Sequence, residues 1–523
     1  MKAFEPILKP GRNCMEIVPV DESGVLIDGR DYYMAFYKAA RTAKKYILIA
    51  GWQFDSDTRV IRGKDAVPGR EYRFLPFLNE ICSKNPDLQI YILAWDFSVI
   101  FTLEREWFQK YVFEWSACPK ISFRFDSTNA IGGSHHQKFL VIDGKLAFAG
   151  GMDICANRWD DRRHAPHNPE RIEPADEFYG PYHEVQAYMT GPIAAKLERL
   201  FKERWVASGG EEISLPAVPD SPGYAALNFK PTVPIYSNRA AISRIQPRTL
   251  SVREPVYEIR HLYRDSIRAA RELVYIENQY FTSKEVYLAL AERMREKGLP
   301  PLQIIILLPH KPEAFVEEFG LGNSQAKLLS SLCEIAAETG HSFGVFYSTH
   351  LDEKGKEAPT YIHSKLFIVD DRFLSVGSAN TTNRSLGIDT ELNISWEALS
   401  DGDGALIKSI RRVRVSLMAE STGLWDAQAR KQFRNIKGLA AFLGELADNG
   451  SCLLRRVEFK SIFDGNRLLH AIKTEKPIFD PDKALIEESL YELISGHKNG
   501  LFAKGISLLH ALLKGKKNAN TQS

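Results

Sequence analysis

The feature that most restricts how this chain folds is that it contains itself twice. KKYILIAGWQFDS (44–56) aligns with RELVYIENQYFTS (271–283) at an offset of 227, and HHQKFLVIDGKLAFAGGMD (135–153) aligns with IHSKLFIVDDRFLSVGSAN (362–380) at the same offset. Between these blocks the apolar runs LQIYILAWD (88–96) and LQIIILLP (302–309) match at an offset of 214, so loops of different length flank them. Each half runs helix, strand, helix or loop, strand, hairpin, which predicts an α/β class with two similar α/β/α lobes. Their sheets should be central and mixed. The expected division is a first lobe at 1–205, a Pro/Gly-rich connector at 206–250, a second lobe at 251–425 and a helical C-terminal extension at 426–523.

The 523 residues are 44% hydrophobic and 26% charged, close to the globular average, so the chain can bury substantial cores. A formal charge of +2 offers no broad cationic field, and no nucleic-acid partner is expected. Six cysteines lie far apart without a CxxC pair, which fits reduced thiols and neither a zinc cluster nor a disulfide scaffold. No apolar stretch reaches 18 residues and the N-terminus lacks a signal-like apolar run. A cytoplasmic or peripheral membrane location is therefore expected, with signal-less secretion left open.

Both copies of the second block carry HxKxxxxD. Alternation along a strand places His136 and Lys138 on one face, and His363 and Lys365 likewise. A neutral imidazole can attack phosphorus, an imidazolium can protonate a leaving oxygen, and an ammonium neutralises phosphate charge, so the pattern suits phosphodiester chemistry. A single HxKxxxxD arises by chance in roughly one chain in twenty of this composition, whereas two in register with a wider repeat do not. Asp143 and Asp370 fall on the opposite face before a turn and read as structural hydrogen-bonding residues.

The doubled motif, with GSAN at 377–380 and Asn383-Arg384-Ser385, resembles the phospholipase D superfamily over roughly residues 30–205 and 255–420. GGMDICANRWDD, PYHEVQAYMTGP and IENQYF are more similar to the eukaryotic-type phospholipases D than to the family's small nucleases. The resemblance implies one active site where the two motifs meet at a pseudo-twofold seam, with no metal ion and no cofactor. It implies that His136 is the nucleophile forming a phosphohistidine and that His363 is the general acid, and then the base. Lys138, Lys365, Asn380 and the Ser378 hydroxyl would hold the non-bridging oxygens. Glu184 and Glu391 are the candidates to orient the imidazoles, and His183 is expected to line the substrate pocket. The first copy departs from the pattern, with Gly151 and Asp153 where the second has Ser378 and Asn380. Asp153 is expected to orient Lys138 or bind backbone.

The implied activity is hydrolysis of the distal phosphodiester of a glycerophospholipid, with transfer to another alcohol possible. Alternatives are a phosphatidyltransferase of cardiolipin synthase type, a nuclease, or a membrane-binding pseudoenzyme. The expected partner is a phospholipid at a membrane surface, reached by peripheral contact, and a monomer is expected. His135 reads as a loop residue. His164, His167 and His183 could form a metal cluster with nearby acids, but RRHAPHNPER reads as a polar loop. Arg158 and Arg384 read as braces more than phosphate contacts, and Trp52, Gln279 and Tyr280 could border the cleft or pack in the core. The stretch LFAKGISLLHALLKGKK (501–517) mixes apolar and basic residues, which suits either packing on the core or an anionic membrane surface.

Overall fold

A computed structural model describes residues 3–96, 113, 116–130, 132–173, 178–218, 231–249, 252, 254–311, 315–458 and 480. The stretch 501–517 lies outside the described residues. The two halves build two mixed sheets with the same internal order. In the first sheet, strands Ser23–Ile27, Val185–Thr190, Leu146–Gly150, Phe139–Ile142, Tyr46–Gly51, Gln89–Trp95 and Ile121–Asp126 lie side by side. In the second, Arg239–Gln246, Glu391–Glu397, Phe373–Gly377, Leu366–Val369, Leu273–Glu277, Gln303–Leu307 and Ser342–Leu351 repeat that sequence of neighbours. The parallel pairs Tyr46–Gly51 with Gln89–Trp95, and Leu273–Glu277 with Gln303–Leu307, are covered on both faces, which is why they read as continuous apolar runs.

The outermost strands are exchanged. Glu16–Pro19, from the N-terminal region, pairs with Arg239–Gln246 at the edge of the second sheet. Val233–Pro234, from the segment before Arg239, pairs with Ser23–Ile27 at the edge of the first. The Pro-rich region read as a connector therefore contributes to both sheets over residues 233–246. Pro234 occupies an edge position, where a missing N–H costs no ladder bond.

Helices Asp28–Ala40 and Phe74–Lys84 cover the outer face of the first sheet through Phe36, Phe77 and Leu78. Glu258–Ala269 and Lys284–Arg295, with Leu262, Tyr263 and Leu290, cover the outer face of the second. The inner faces share one core in which Leu48, Val141 and Val185 join Tyr275, Ile368 and Ile394. Burying both inner faces against each other fixes the relation of the lobes, and with it the relation of the two HxK segments. The C-terminal extension is helical at Ala427–Arg434 and Leu439–Asp448. It then adds strand Leu454–Arg456 beside Ser342–Leu351.

Candidate active site

Each hairpin turn is tied back to the start of its sheet by a carboxylate. Asp143, at φ 52°, accepts hydrogen bonds from the backbone N–H groups of Lys44, Lys45 and Tyr46 at 2.7, 2.8 and 3.0 Å. Asp370, also at φ 52°, accepts from Arg271, Glu272 and Leu273, all at 2.8 Å. These bonds anchor the strands Phe139–Ile142 and Leu366–Val369, whose N-terminal approaches carry the histidines.

Those approaches dock onto the opposite lobe. The His136 N–H donates to Thr390 O at 3.0 Å, and the His363 N–H donates to His183 O at 2.9 Å beside the short parallel pair Tyr361–Ile362 with Tyr182–His183. The carboxylates consequently cross the seam. His136 Nδ1 lies 3.0 and 3.1 Å from the two oxygens of Glu391, and His363 Nδ1 lies 2.5 Å from Glu184 Oε2. Both glutamates are fully buried. With Nδ1 engaged in each ring, Nε2 is the nitrogen placed for chemistry.

The lysines are held differently. Lys138 Nζ lies 3.3 Å from Asp153 Oδ2 and over the Trp52 ring, and donates to His136 O at 3.2 Å. Lys365 Nζ donates to Gln279 Oε1 at 3.0 Å and to His363 O. Burial, then Lys138 and Lys365, hold the His136 imidazole well below its ordinary value; burial, then Lys365 and Arg158, do the same to His363. Burial brings the Lys365 ammonium down to about 7 and pushes the Glu184 carboxyl up to about 8. Burial also holds Glu391 well above the usual carboxylate range. Such a site keeps an imidazole lone pair available while a neighbouring carboxyl retains a proton.

Two expectations are corrected. The Ser378 side chain is fully buried and its hydroxyl donates to Glu391 Oε2 at 2.5 Å while accepting the Leu392 N–H, so it holds the carboxylate and does not face a substrate. His183 is 3% exposed, with Nδ1 2.9 Å from Asp28 Oδ1 and Nε2 3.0 Å from Glu277 Oε2; it lies behind His363 with both ring nitrogens engaged by carboxylates, so it does not face a substrate. Asn380 is buried with Oδ1 lacking a hydrogen-bond partner. Asp153 contacts Lys138 and also accepts the Trp52 N–H at 2.9 Å. His135 is engaged by Asp126 and Thr390, and Arg384 by Asp389. Arg158 lies over the Tyr182 ring, and that ring is 5.4 Å from His363. Trp52 stacks on Trp95, and Gln279 Nε2 donates to Tyr280 and Tyr361.

A family model described as Phospholipase D matches residues 39–314, more than half of the chain. The chain belongs to the phospholipase D family. A second model, described as Cardiolipin synthase, PLD-like domain, matches residues 263–402 of this phospholipase D family member. Phospholipase D A of Dictyostelium discoideum is 25% identical over 415 residues, covering 69% of this chain and 31% of that protein. Phospholipase D alpha 3 of Arabidopsis thaliana is 23% identical over 517 residues, covering 73% and 62% respectively. The chain thus spans about a third and three fifths of the length of these relatives. The crystal structure of phosphatidylserine synthase from Haemophilus influenzae Rd KW20 superposes with a TM-score of 0.51 at 13% identity, over 83% of this chain and 95% of that one, a likeness of fold. No helix among the described residues is long and apolar enough to cross a membrane.

Sequence reasoning did not single out Asp28, Asp160, Glu277 or Glu420, which surround His164 and His183. Asp160 lies four residues before His164, but Asp28, Glu277 and Glu420 come from positions far apart in the chain, so only the fold brings those three to the histidines.

Proposed function

We propose that this protein is a phospholipase D that cleaves the distal phosphodiester of a glycerophospholipid to phosphatidic acid and the head-group alcohol. One observation carries the reading: two imidazoles, His363 buried and His136 partly buried, each oriented by a carboxylate from the other lobe, flank a pair of lysines. His136 Nε2 attacks phosphorus and the bond to the head-group oxygen breaks, with His363 delivering a proton to that oxygen. Glu184, protonated up to about pH 8 and 2.5 Å from His363 Nδ1, supplies the proton on the far side of the ring. A bound phosphodiester anion offsets the lysines that hold His363 low. His363 then takes a proton from water, the oxygen attacks phosphorus, and the P–N bond to His136 breaks. Lys138, Lys365 and Asn380 hold the non-bridging oxygens. An alcohol in place of water gives head-group exchange.

The lipid is approached by peripheral contact. Phe178, 60% exposed, stands on the segment leading to Tyr182, whose ring packs near His363. Purified full chain incubated with phosphatidylcholine vesicles and a little ethanol should release choline and form phosphatidylethanol. Inactivity on lipid vesicles with cleavage of DNA would refute the reading. The match of residues 263–402 to the cardiolipin synthase description favours one second reading, phosphatidyl transfer to a lipid alcohol. Vesicles of phosphatidylglycerol distinguish it, since a transferase would make cardiolipin in preference to phosphatidic acid.

A further inference from the structure

Directly behind His363, four side chains from three distant parts of the chain converge: Asp28 at the start of its helix, His164 in a loop and His183 on the short strand that follows, and Glu420 near the end of helix Gly404–Thr422. One potential ligand atom from each lies within 4.8 Å of all the others, and all four residues are buried. His183 Nδ1 is 2.9 Å from both Asp28 Oδ1 and Glu420 Oε1. His164 Nε2 is 3.0 Å from Glu420 Oε1 and 3.5 Å from Asp28 Oδ2. Ligand atoms around a tetrahedral zinc, each ~2.0–2.1 Å from the metal, lie ~3.3 Å apart, so these spacings need only small adjustment.

The outer nitrogens fix the protons. His183 Nε2 lies 3.0 Å from Glu277 Oε2, and His164 Nδ1 lies 2.9 Å from Asp160 Oδ2. An N–H pointing at a carboxylate is the arrangement that holds a ligating histidine in its tautomer. In neutral rings it leaves both inner nitrogens as lone pairs, aimed with two carboxylates at one point. The single N–H that an inner nitrogen of His183 could carry cannot be directed along two lines at once, toward Asp28 and Glu420. Independently, Asp28 Oδ2 is buried and has no hydrogen-bond partner. A cavity of about 10 Å³, lined by His164, His183, Glu277 and Glu420 among others, adjoins the cluster, enough for one small species.

We propose that Asp28, His164, His183 and Glu420 form a tetrahedral, structural site for a divalent transition metal of zinc type. Two neutral imidazoles, two carboxylates and the dication sum to zero charge, which removes the cost of burying like charges together. The metal clamps the helix Gly404–Thr422 to the first lobe and takes no part in the reaction. Its effect on the active site is positional, because the His183 peptide oxygen accepts the His363 N–H and Glu184 follows His183 directly.

Full chain produced in zinc-supplemented medium and freed of loose metal by gel filtration should contain close to one zinc per chain by plasma mass spectrometry. Glu420→Gln and His164→Ala should lose it, while His136→Ala keeps it. Removing the metal with a chelator should lower the melting temperature by ~5 °C or more, and zinc, but not magnesium, should restore it. Cobalt(II) loaded into the wild-type chain should give the intense visible bands of a tetrahedral site, a readout that needs neither activity nor a variant that folds. Wild-type chain that binds under a tenth of an equivalent after incubation with zinc, with unchanged melting, would overturn the proposal. So would nitrogen NMR showing both ring nitrogens of His164 and His183 protonated in zinc-treated chain, which would make the cluster an ion-pair network. Metal bound without lipid cleavage would leave this site standing and count only against the proposed activity.

Discussion

The two lobes share strand order, turn and anchoring aspartate, yet around the lysines they differ. In the second copy Ser378 sets its hydroxyl on Glu391; in the first the equivalent residue is Gly151, where an added Cβ would lie 2.6 Å from Glu184 Oε2 and 2.8 Å from Lys365 Cδ. Glu391 is thus supplied with a hydroxyl donor, while at Glu184 that space is taken by the stem of the opposite lysine. Lys138 faces a carboxylate and Lys365 an amide. A duplicated backbone has been given unequal surroundings, so two chemically identical imidazoles can do different work. This fits one ring that is only held, by Glu391, and one that exchanges a proton, beside Glu184.

The comparison breaks most readily at the histidines. His136→Ala and His363→Ala should each reduce turnover by about a thousandfold, but only the His363 variant should retain lipid-derived label on the protein after a quench. Label on the His136 variant would reverse the two roles. At the turn that follows, the second copy has Asp371, whose carboxylate pairs with the fully buried Arg414 at 2.6 Å, where the first has Gly144. Asp371→Ala should cost about 3–5 kcal/mol in denaturant unfolding, because it strands a buried guanidinium. Glu391→Gln and Glu184→Gln should each lower kcat by about 10–100-fold. The first should slow label formation, and the second both formation and release, because His363 passes a proton in each; a Glu184 variant that left release unchanged would remove the division of labour.

The pH profile is a finer test. Lys365 loses its proton as pH rises through about 7, so kcat/KM should fall on the alkaline side from there, by about tenfold per unit. His136, held low, stays neutral into acid, which puts the acid limb below pH 6.5. A profile still rising at pH 9 would contradict the lysine assignment. Smallest of all, Asp153→Asn keeps an acceptor for the Trp52 N–H but removes the charge beside Lys138. KM for the phosphodiester substrate should drop about threefold with kcat unchanged.

Much of this was readable from residue order. The constant offset of 227 gave the paired lobes and matched the histidines, because strands covered on both faces repeat as apolar runs. The spacing could not tell which lobe each glutamate would serve, since strand periodicity fixes a face and not a neighbour in space. His183 was misjudged for a related reason: HEVQAYM looks the same whether its histidine opens to solvent or lies against Asp28 and Glu277. The strand Arg239–Gln246 was hidden by the prolines around it, and Leu454–Arg456 by the helices before it.

The exchanged edge strands reach beyond the native state. Glu16–Pro19 leaves the ribosome more than two hundred residues before its partner Arg239–Gln246, and that strand must itself be seated beside Glu391–Glu397. At 5–20 residues per second, the earlier strand waits unpaired for at least about ten seconds. Maturation of the first half is thereby bound to arrival of the second, and a truncated nascent chain exposes an unsatisfied ladder that quality control can recognise.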